Sequence, residues 1–196
     1  MKIRSGKAVV SVLGLGRVGL PLAIVLARSG LRVIGVDVDA QVVNMVSKGE
    51  MPFYHPEVQT WLKEVLGTGA FTASTESKKS IEASDVIIVA VGTPTGVQHQ
   101  LEYSQFHSAI GEVRKASLRN KAVIMRLTSF PGTLTHVVLP ALTEGTGLEP
   151  GVDFAIAVCP ERVLEGQSHL ELYELPELVG AADLSLIHIS EPTRPY

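Results

Sequence analysis

Three glycines near the start of the chain constrain its fold more than any other feature. They stand in the pattern G-x-G-x-x-G, as Gly14, Gly16 and Gly19. An apolar β-rich run precedes them at residues 9–13, an apolar helical pattern follows, and a second apolar run then ends at Asp37. Strand, glycine turn, helix, strand and acid, in this order, are typical of the βαβ unit that binds dinucleotides.

Each glycine has its own physical role in such a unit. Gly14 lets the chain turn tightly off the strand, and Gly19 lets the helix pack closely on the sheet. Gly16 has no Cβ, so a pyrophosphate can approach the backbone, where the helix N-terminus offers unpaired N–H groups and the positive end of its dipole. The same glycines also occur in ordinary turns, so the alternative is a loop that binds nothing.

Asp37 favours dinucleotide binding over that alternative. It ends the second strand, 18 residues beyond Gly19, where a carboxylate meets the ribose hydroxyls of adenosine. A carboxylate there repels a 2′-phosphate, and the next residues, Val38-Asp39-Ala40, include no arginine to accept one. The sequence therefore predicts NAD, rather than NADP, as the cofactor.

Composition limits the class of protein and its partners. The chain has 196 residues, of which 45% are hydrophobic and 19% charged, as in soluble globular domains. A net charge of −3 argues against binding of nucleic acid or of an anionic membrane. The one cysteine, Cys159, excludes an intrachain disulfide and favours a cytoplasmic location. The histidines show no ligand spacing, so no metal site is predicted.

Apolar strand patterns alternate with helical patterns along the chain. Strands are predicted at 9–13, 32–36, 71–73, 86–91, 122–127 and 154–159, and helices at 18–29, 40–47, 57–66, 76–83, 106–116 and 131–142. This alternation predicts an α/β fold, a Rossmann-type doubly wound parallel sheet with helices on both faces, over residues 1–182.

In such a sheet, the loops at 14–19, 92–95, 128–133 and 160–166 leave the same edge. Glu161 and Glu165 are four residues apart, so on a helical turn their carboxylates would face the same way and could act as acid and base. Taken alone, these residues fit better with the start of a surface helix, where glutamate is favoured. The loop at 92–95 fits a cofactor contact and a simple turn equally well.

Five segments of the chain form a recognisable set: Gly14-Leu-Gly-Arg-Val-Gly-Leu-Pro, Gly35-Val-Asp-Val-Asp, Val91-Gly-Thr-Pro, Thr128 with Pro131-Gly-Thr, and Pro160-Glu-Arg-Val-Leu-Glu-Gly. In their order and spacing, these segments resemble the UDP-glucose/GDP-mannose dehydrogenase family. The resemblance covers residues 7–181 and implies the N-terminal NAD-binding domain of the family. The Cys-Pro-Glu-Arg-Val form at 159–163 is most similar to the branch that acts on UDP-N-acetylmannosamine or UDP-N-acetylglucosamine.

The resemblance implies an activity and a role for each site residue. The family oxidises the C6 alcohol of a nucleotide sugar in two NAD-dependent steps, through a thiohemiacetal and a thioester on a cysteine, for polysaccharide precursor synthesis. It implies NAD contacts from Arg17, Val18, Asp37, Gly92, Thr93, Thr128 and Glu165, in addition to the three glycines. It implies that Arg162 and Val163 contact the UDP-sugar, and that Glu161 and Thr128 activate the hydrolytic water.

This chain also departs from the family. Leu127-Thr128 replaces the usual Ser-Thr, and His99-Gln100-Leu101 replaces Pro-Asp-Leu. The nucleophilic cysteine, the catalytic lysine and asparagine and the central helix of the homo-oligomer lie beyond this domain in the family. Cys159 is instead expected to be a buried strand cysteine. Residues 183–196 match nothing in the family and are expected to be a non-native tail on an inactive fragment.

Two other functions remain open from the sequence. One is a non-catalytic NAD-binding sensor, and the other is a different dehydrogenase family on the same fold, such as a 3-hydroxyacid or 6-phosphogluconate type. The segment 160–166 favours a nucleotide-sugar dehydrogenase over a sensor, because a sensor needs no carboxylates beside Thr128.

Overall fold

The computed structural model of the chain describes residues 5–92, 103–162, 172 and 176–181. One seven-stranded sheet organises it, in the order β3-β2-β1-β4-β5-β6-β7. The strands are β1 Val9–Leu13, β2 Arg32–Val36, β3 Phe71–Ser74, β4 Val86–Val89, β5 Ala122–Met125, β6 Ala155–Val158 and β7 Gly180–Ala181. The first six pair in parallel, in the strand order of the doubly wound dinucleotide-binding fold, as predicted.

Helices cover both faces of this sheet. They are α1 Gly19–Arg28, α2 Ala40–Ser47, α3 Pro56–Gly67, α4 Ser77–Glu82, α5 Ser104–Arg114 and α6 Leu139–Thr143. Alternate residues of a strand point to opposite faces, so Ile88 joins the core under α1 and α3, while Ile87 and Val89 join the core under α5. All four residues of β4 are buried, as expected of a central parallel strand. None of these helices is long and apolar enough to cross a membrane.

The helix after β5 begins later than the sequence pattern predicts. Pro131 and Gly132 form a turn, and a π-helical segment, Leu134–Val138, follows and leads into α6. Pro140 lacks an N–H and its ring would crowd the carbonyl four residues earlier, so the regular α-helical ladder cannot form there. The backbone widens instead, and the Leu139 N–H donates to the Leu134 carbonyl, five residues back.

The edge of the sheet beyond β6 is antiparallel. In β7, Gly180 pairs with Val158 and Ala181 with Ala157. The short strand brings the residues just before it, including Glu177, to the carboxyl end of β6. A mostly parallel sheet with an antiparallel edge strand is common among doubly wound folds.

Candidate cofactor and catalytic site

A cleft of about 620 Å³ opens at the carboxyl ends of β1, β2 and β4. It lies where the strand order reverses between β1 and β4, the position at which open α/β sheets bind ligands. Its lining combines an apolar floor with polar groups from the glycine-rich loop, the end of β2 and one face of α5. These polar and glycine residues are Gly14, Gly16, Asp37, Asp39, Ser77, Gly92, Ser104, Gln105, Ser108 and Glu112.

The three glycines of the loop differ in what requires them. Gly14 has a φ of +96°, and a Cβ on it would lie 2.7 Å from the Ala90 carbonyl oxygen. A Cβ on Gly19 would lie 1.9 Å from the Gly14 carbonyl oxygen, which no side chain could tolerate. A Cβ on Gly16 would meet nothing within 4 Å. The fold itself therefore requires Gly14 and Gly19, whereas the open space at Gly16 suits a ligand that approaches the backbone.

The N-terminus of α1 faces the same loop, so the positive end of the helix dipole lies beside it. The helix has no side-chain cap and no acidic residue in its first turn. Its early hydrogen bonds run from Leu20 N–H to the Gly16 carbonyl and from Leu22 N–H to the Val18 carbonyl. Uncapped N–H groups at a helix start attract anions such as a pyrophosphate. Arg17, exposed in this loop, adds a positive charge.

Asp37 ties the glycine-rich loop to the segment after β2. Its Oδ2 accepts the Leu15 N–H at 2.7 Å, and its Oδ1 accepts the Asp39 N–H at 3.0 Å. Asp39 in turn caps α2 by accepting the Gln41 N–H at 2.8 Å. A carboxylate has about four acceptor sites, so Asp37 keeps capacity for the hydroxyls of a ribose. These bonds hold its carboxylate at the edge of the cleft.

A second polar cluster lies at the carboxyl ends of β5 and β6. We call it the Arg126 network, and it consists of Arg126, Cys159, Glu161 and Glu177. The Nε of Arg126 donates to Glu161 Oε2 at 3.0 Å, and its Nη1 donates to Glu177 Oε2 at 2.9 Å and to Cys159 Sγ at 3.2 Å. The Cys159 thiol donates to Glu177 Oε2 at 3.2 Å. The Arg126 guanidinium, which follows β5, thus joins the loop after β6 to the segment before β7.

Burial makes this network electrostatically strong. The Arg126 side chain is 5% exposed and that of Glu161 is 13% exposed, whereas the side chain of Glu177 is 39% exposed. Burial alone would lower the pKa of Arg126, but its hydrogen bond to Glu177 and the negative charges of Glu161 and Glu177 outweigh burial and raise it. The guanidinium therefore stays charged and holds both carboxylates in place.

The pKa values of the other two members follow from the same contacts. Burial, the hydrogen bond to Glu177 and its negative charge raise the pKa of Cys159 to about 11, despite the nearby Arg126. Burial would also raise the pKa of Glu177, but hydrogen bonds from Arg126 and Cys159 outweigh it and lower this pKa. The thiol is therefore protonated at neutral pH, and the predicted burial of Cys159 is confirmed.

Comparison with known proteins identifies the family. Residues 8–191 match the NAD-binding domain of the UDP-glucose/GDP-mannose dehydrogenase family. The chain belongs to this family. Membership confirms the predicted resemblance and the NAD cofactor, and it excludes the other dehydrogenase families considered from the sequence.

Individual relatives agree with this assignment. The chain is 33% identical over 178 residues to GDP-mannose 6-dehydrogenase of Pseudomonas putida, covering 89% of this chain and 40% of the relative. It is 36% identical over 183 residues to UDP-N-acetyl-D-mannosamine dehydrogenase of Pyrococcus horikoshii, covering 93% and 43%. Its fold resembles the ternary complex of GDP-mannose dehydrogenase from Pseudomonas aeruginosa, with a TM-score of 0.87 at 29% identity and coverage of 92% and 42%. The chain thus spans about two fifths of the length of these relatives.

The structure brings some of the predicted site residues of this NAD-binding domain together and separates others. Gly14, Gly16, Asp37 and Gly92 line one cleft. Thr128 is exposed in the loop after β5, and Glu161 lies in the loop after the neighbouring β6. Arg17, Val18 and Gly19 lie in the glycine-rich loop and at the start of α1. Thr93, Val163, Glu165 and the tail at 183–196 lie outside the described residues.

The predicted substrate residue Arg162 is held beside Glu161. Its backbone N–H donates to Glu161 Oε1 at 2.8 Å, and its guanidinium donates to the Pro176 carbonyl at 3.2 Å. Sequence reasoning missed Arg126 and Glu177 as members of this region. The signal for Arg126 was present, because a charged residue in the apolar run at 122–127 must find a partner when it is buried. Nothing comparable marked Glu177.

Proposed function

We propose that this domain serves a nucleotide-sugar 6-dehydrogenase, which oxidises the C6 hydroxyl of a UDP-N-acetylhexosamine to the uronic acid for polysaccharide precursor synthesis. The observation that carries the proposal is the placement of Glu161. An anchored carboxylate stands at the same edge of the sheet as the NAD cleft, in the loop next to that of Thr128. A sensor of NAD would need the cleft but not this carboxylate.

In this proposal, the residues of the chain bind and orient the cofactor. The glycine-rich loop, with Arg17 and Val18, and the N-terminus of α1 hold the pyrophosphate. Asp37 accepts the ribose hydroxyls and disfavours a 2′-phosphate. Gly92, Thr93, Thr128 and Glu165 complete the contacts, with Glu165 beside the nicotinamide. NAD itself supplies the hydride acceptor for the oxidation.

Glu161 and Thr128 are proposed to activate the water that hydrolyses the thioester. The two oxygens of Glu161 already accept hydrogen bonds, Oε2 from Arg126 and Oε1 from the Arg162 N–H. These bonds fix the position of the carboxylate. A general base acts on a water only from a fixed position within hydrogen-bond reach. Arg162 and Val163 are proposed to contact the nucleotide sugar.

The substrate proposal rests on the Cys159-Pro160-Glu161-Arg162-Val163 motif and on the relative that acts on UDP-N-acetyl-D-mannosamine. The nucleophilic cysteine and the catalytic lysine are proposed to lie in a part of the enzyme outside this chain. The complete enzyme is proposed to be cytoplasmic and to form a homo-oligomer through a further helix. The present chain would then bind NAD without turnover.

Two measurements test the proposal. Calorimetry should find that the chain binds NAD much more tightly than NADP, and Asp37→Ala should narrow that difference; equal affinities in the unmodified chain would contradict the role of Asp37. The complete enzyme should form NADH faster from UDP-N-acetylmannosamine or UDP-N-acetylglucosamine than from UDP-glucose or GDP-mannose. A preference for GDP-mannose would contradict the proposed substrate. Sustained turnover by the present chain would contradict the proposal that the nucleophilic cysteine lies outside it.

A further inference from the structure

Arg17 is the charged residue of the glycine-rich loop, and its side chain rests on an aromatic ring from a distant segment. The Cζ of Arg17 lies 5.5 Å from the centre of the Phe53 ring. A guanidinium within about 6 Å of a ring centre is attracted by the negative face of the ring. The contact restricts the arrangements of this long, exposed side chain.

The ring of Phe53 is a fixed platform. It belongs to the connector between α2 and α3, and it packs on the core that α1 and α3 share. Met51, two residues earlier, is buried, and its N–H donates to Gln59 Oε1. His55, two residues later, is also buried. The protein core therefore sets the position of the ring, independently of any ligand.

The location of this pair points to a phosphate. Arg17 stands between Gly16, where a Cβ would meet open space, and the uncapped N-terminus of α1. The guanidinium presents a planar fork of donors that matches phosphate oxygens. A cation that is already oriented loses less conformational entropy when the anion binds.

We propose that Phe53 is a positioning residue that holds the Arg17 guanidinium for the pyrophosphate of NAD. This inference rests on the proposed contact between Arg17 and NAD. It adds a residue that the glycine motif does not contain, because Phe53 comes 36 positions after Arg17. Phe53 acts only through Arg17, so its effect should vanish when Arg17 is absent.

Calorimetry of the chain with NAD, ADP and adenosine tests this inference. Arg17→Ala should weaken NAD and ADP binding about tenfold and leave adenosine binding unchanged, since adenosine has no phosphate. Phe53→Leu keeps apolar bulk on the core but removes the aromatic face, and it should weaken NAD and ADP binding about threefold. In the Arg17→Ala background, Phe53→Leu should have no further effect.

Two further variants separate positioning from a purely structural role. Phe53→Tyr keeps the ring and should retain the affinity for NAD. Trp61→Leu is the matched control, because Arg28 lies over the Trp61 ring at 4.1 Å in a similar cation–aromatic contact, which joins α1 to α3 away from the loop. It should leave NAD affinity unchanged.

An equal loss of adenosine binding in Phe53→Leu, or a loss that persists without Arg17, would overturn the positioning role. So would unchanged NAD affinity in Phe53→Leu while the unmodified chain binds NAD. If the unmodified chain binds neither NAD nor ADP, the proposed cofactor site itself fails, and this inference fails with it.

Discussion

The two polar regions at the edge of the sheet are built in opposite ways. The glycine-rich loop places backbone N–H groups beside an open cleft, and its special residues lie within a few positions of one another. The Arg126 network instead joins side chains 35 and 51 residues apart around one buried guanidinium. The first region depends on the absence of side chains, and the second depends on long-range partners. Mutations in the Arg126 network should therefore affect stability, whereas in the glycine-rich loop the effect should depend on whether the glycine borders open space or packed backbone.

The largest expected effect is on stability, from Arg126→Met. The change removes the guanidinium that pairs with both Glu161 and Glu177, and breaking a buried ion pair from one side costs about 3–5 kcal/mol. Urea unfolding of the chain measures the loss. Arg126→Lys is the control and should be intermediate, because a single ammonium cannot serve both carboxylates as the guanidinium fork does. A loss below about 1 kcal/mol for Arg126→Met would mean that the network behaves as a surface pair.

Within the glycine-rich loop, two identical changes should have different consequences. Gly19→Ala forces a Cβ against the Gly14 carbonyl and should reduce the free energy of unfolding by about 1–3 kcal/mol or more. Gly16→Ala places its methyl group in open space and should change stability by less than about 0.5 kcal/mol.

Gly16→Ala should weaken NAD binding about tenfold, because its methyl group lies where the pyrophosphate approaches the backbone. Unfolding curves and calorimetry on both variants provide the comparison. Unchanged NAD binding by Gly16→Ala would show that the open space at Gly16 does not receive the cofactor.

A smaller effect concerns acid stability. The folded-state pKa of Glu177 is lowered, so its contribution to stability is fully present above the unfolded value of about 4.3 and is lost as the pH falls through the folded value. Glu177→Gln should therefore flatten the dependence of stability on pH in the acid range, most clearly below about pH 4.3. Unfolding midpoints measured across this range check the effect. An unchanged slope would mean that Glu177 is equally solvated in both states.

The smallest effect on stability, but a clear chemical one, concerns Cys159. A thiol with a pKa of about 11 should react with iodoacetamide far more slowly than the same thiol in urea, by roughly a hundredfold at pH 8. Its contribution to stability is present below the unfolded pKa of about 8.5 and is lost as the pH rises toward the folded value. The chain has no other cysteine, so the labelling rate is unambiguous. Equal rates would place the thiol in solvent.

Much of the fold was predictable because its signals are local. Apolar periodicity located β1, β2 and α2 to the residue, and β3 to β6 and most helices within a few positions. The helix after β5 was the exception, because Pro140 forces a π-helical segment that no periodicity indicates. The extent of the site was less predictable. Its cofactor cleft follows from glycine spacing, whereas the charge of Arg126 within an apolar run indicated a buried partner but not which residue it would be.

The sequence by itself determined the βαβ unit, the choice of cofactor and the alternation of strands with helices along the chain. These features depend on backbone sterics and on residues that are close in the chain, so they do not require contacts between distant segments. Only the tertiary structure decided that Arg126 would pair with Glu161 and Glu177, and that β7 would run antiparallel. A buried guanidinium can pair with any carboxylate that packing brings within hydrogen-bond distance. The register of the strands, rather than the sequence near Arg126, determines which carboxylate that is.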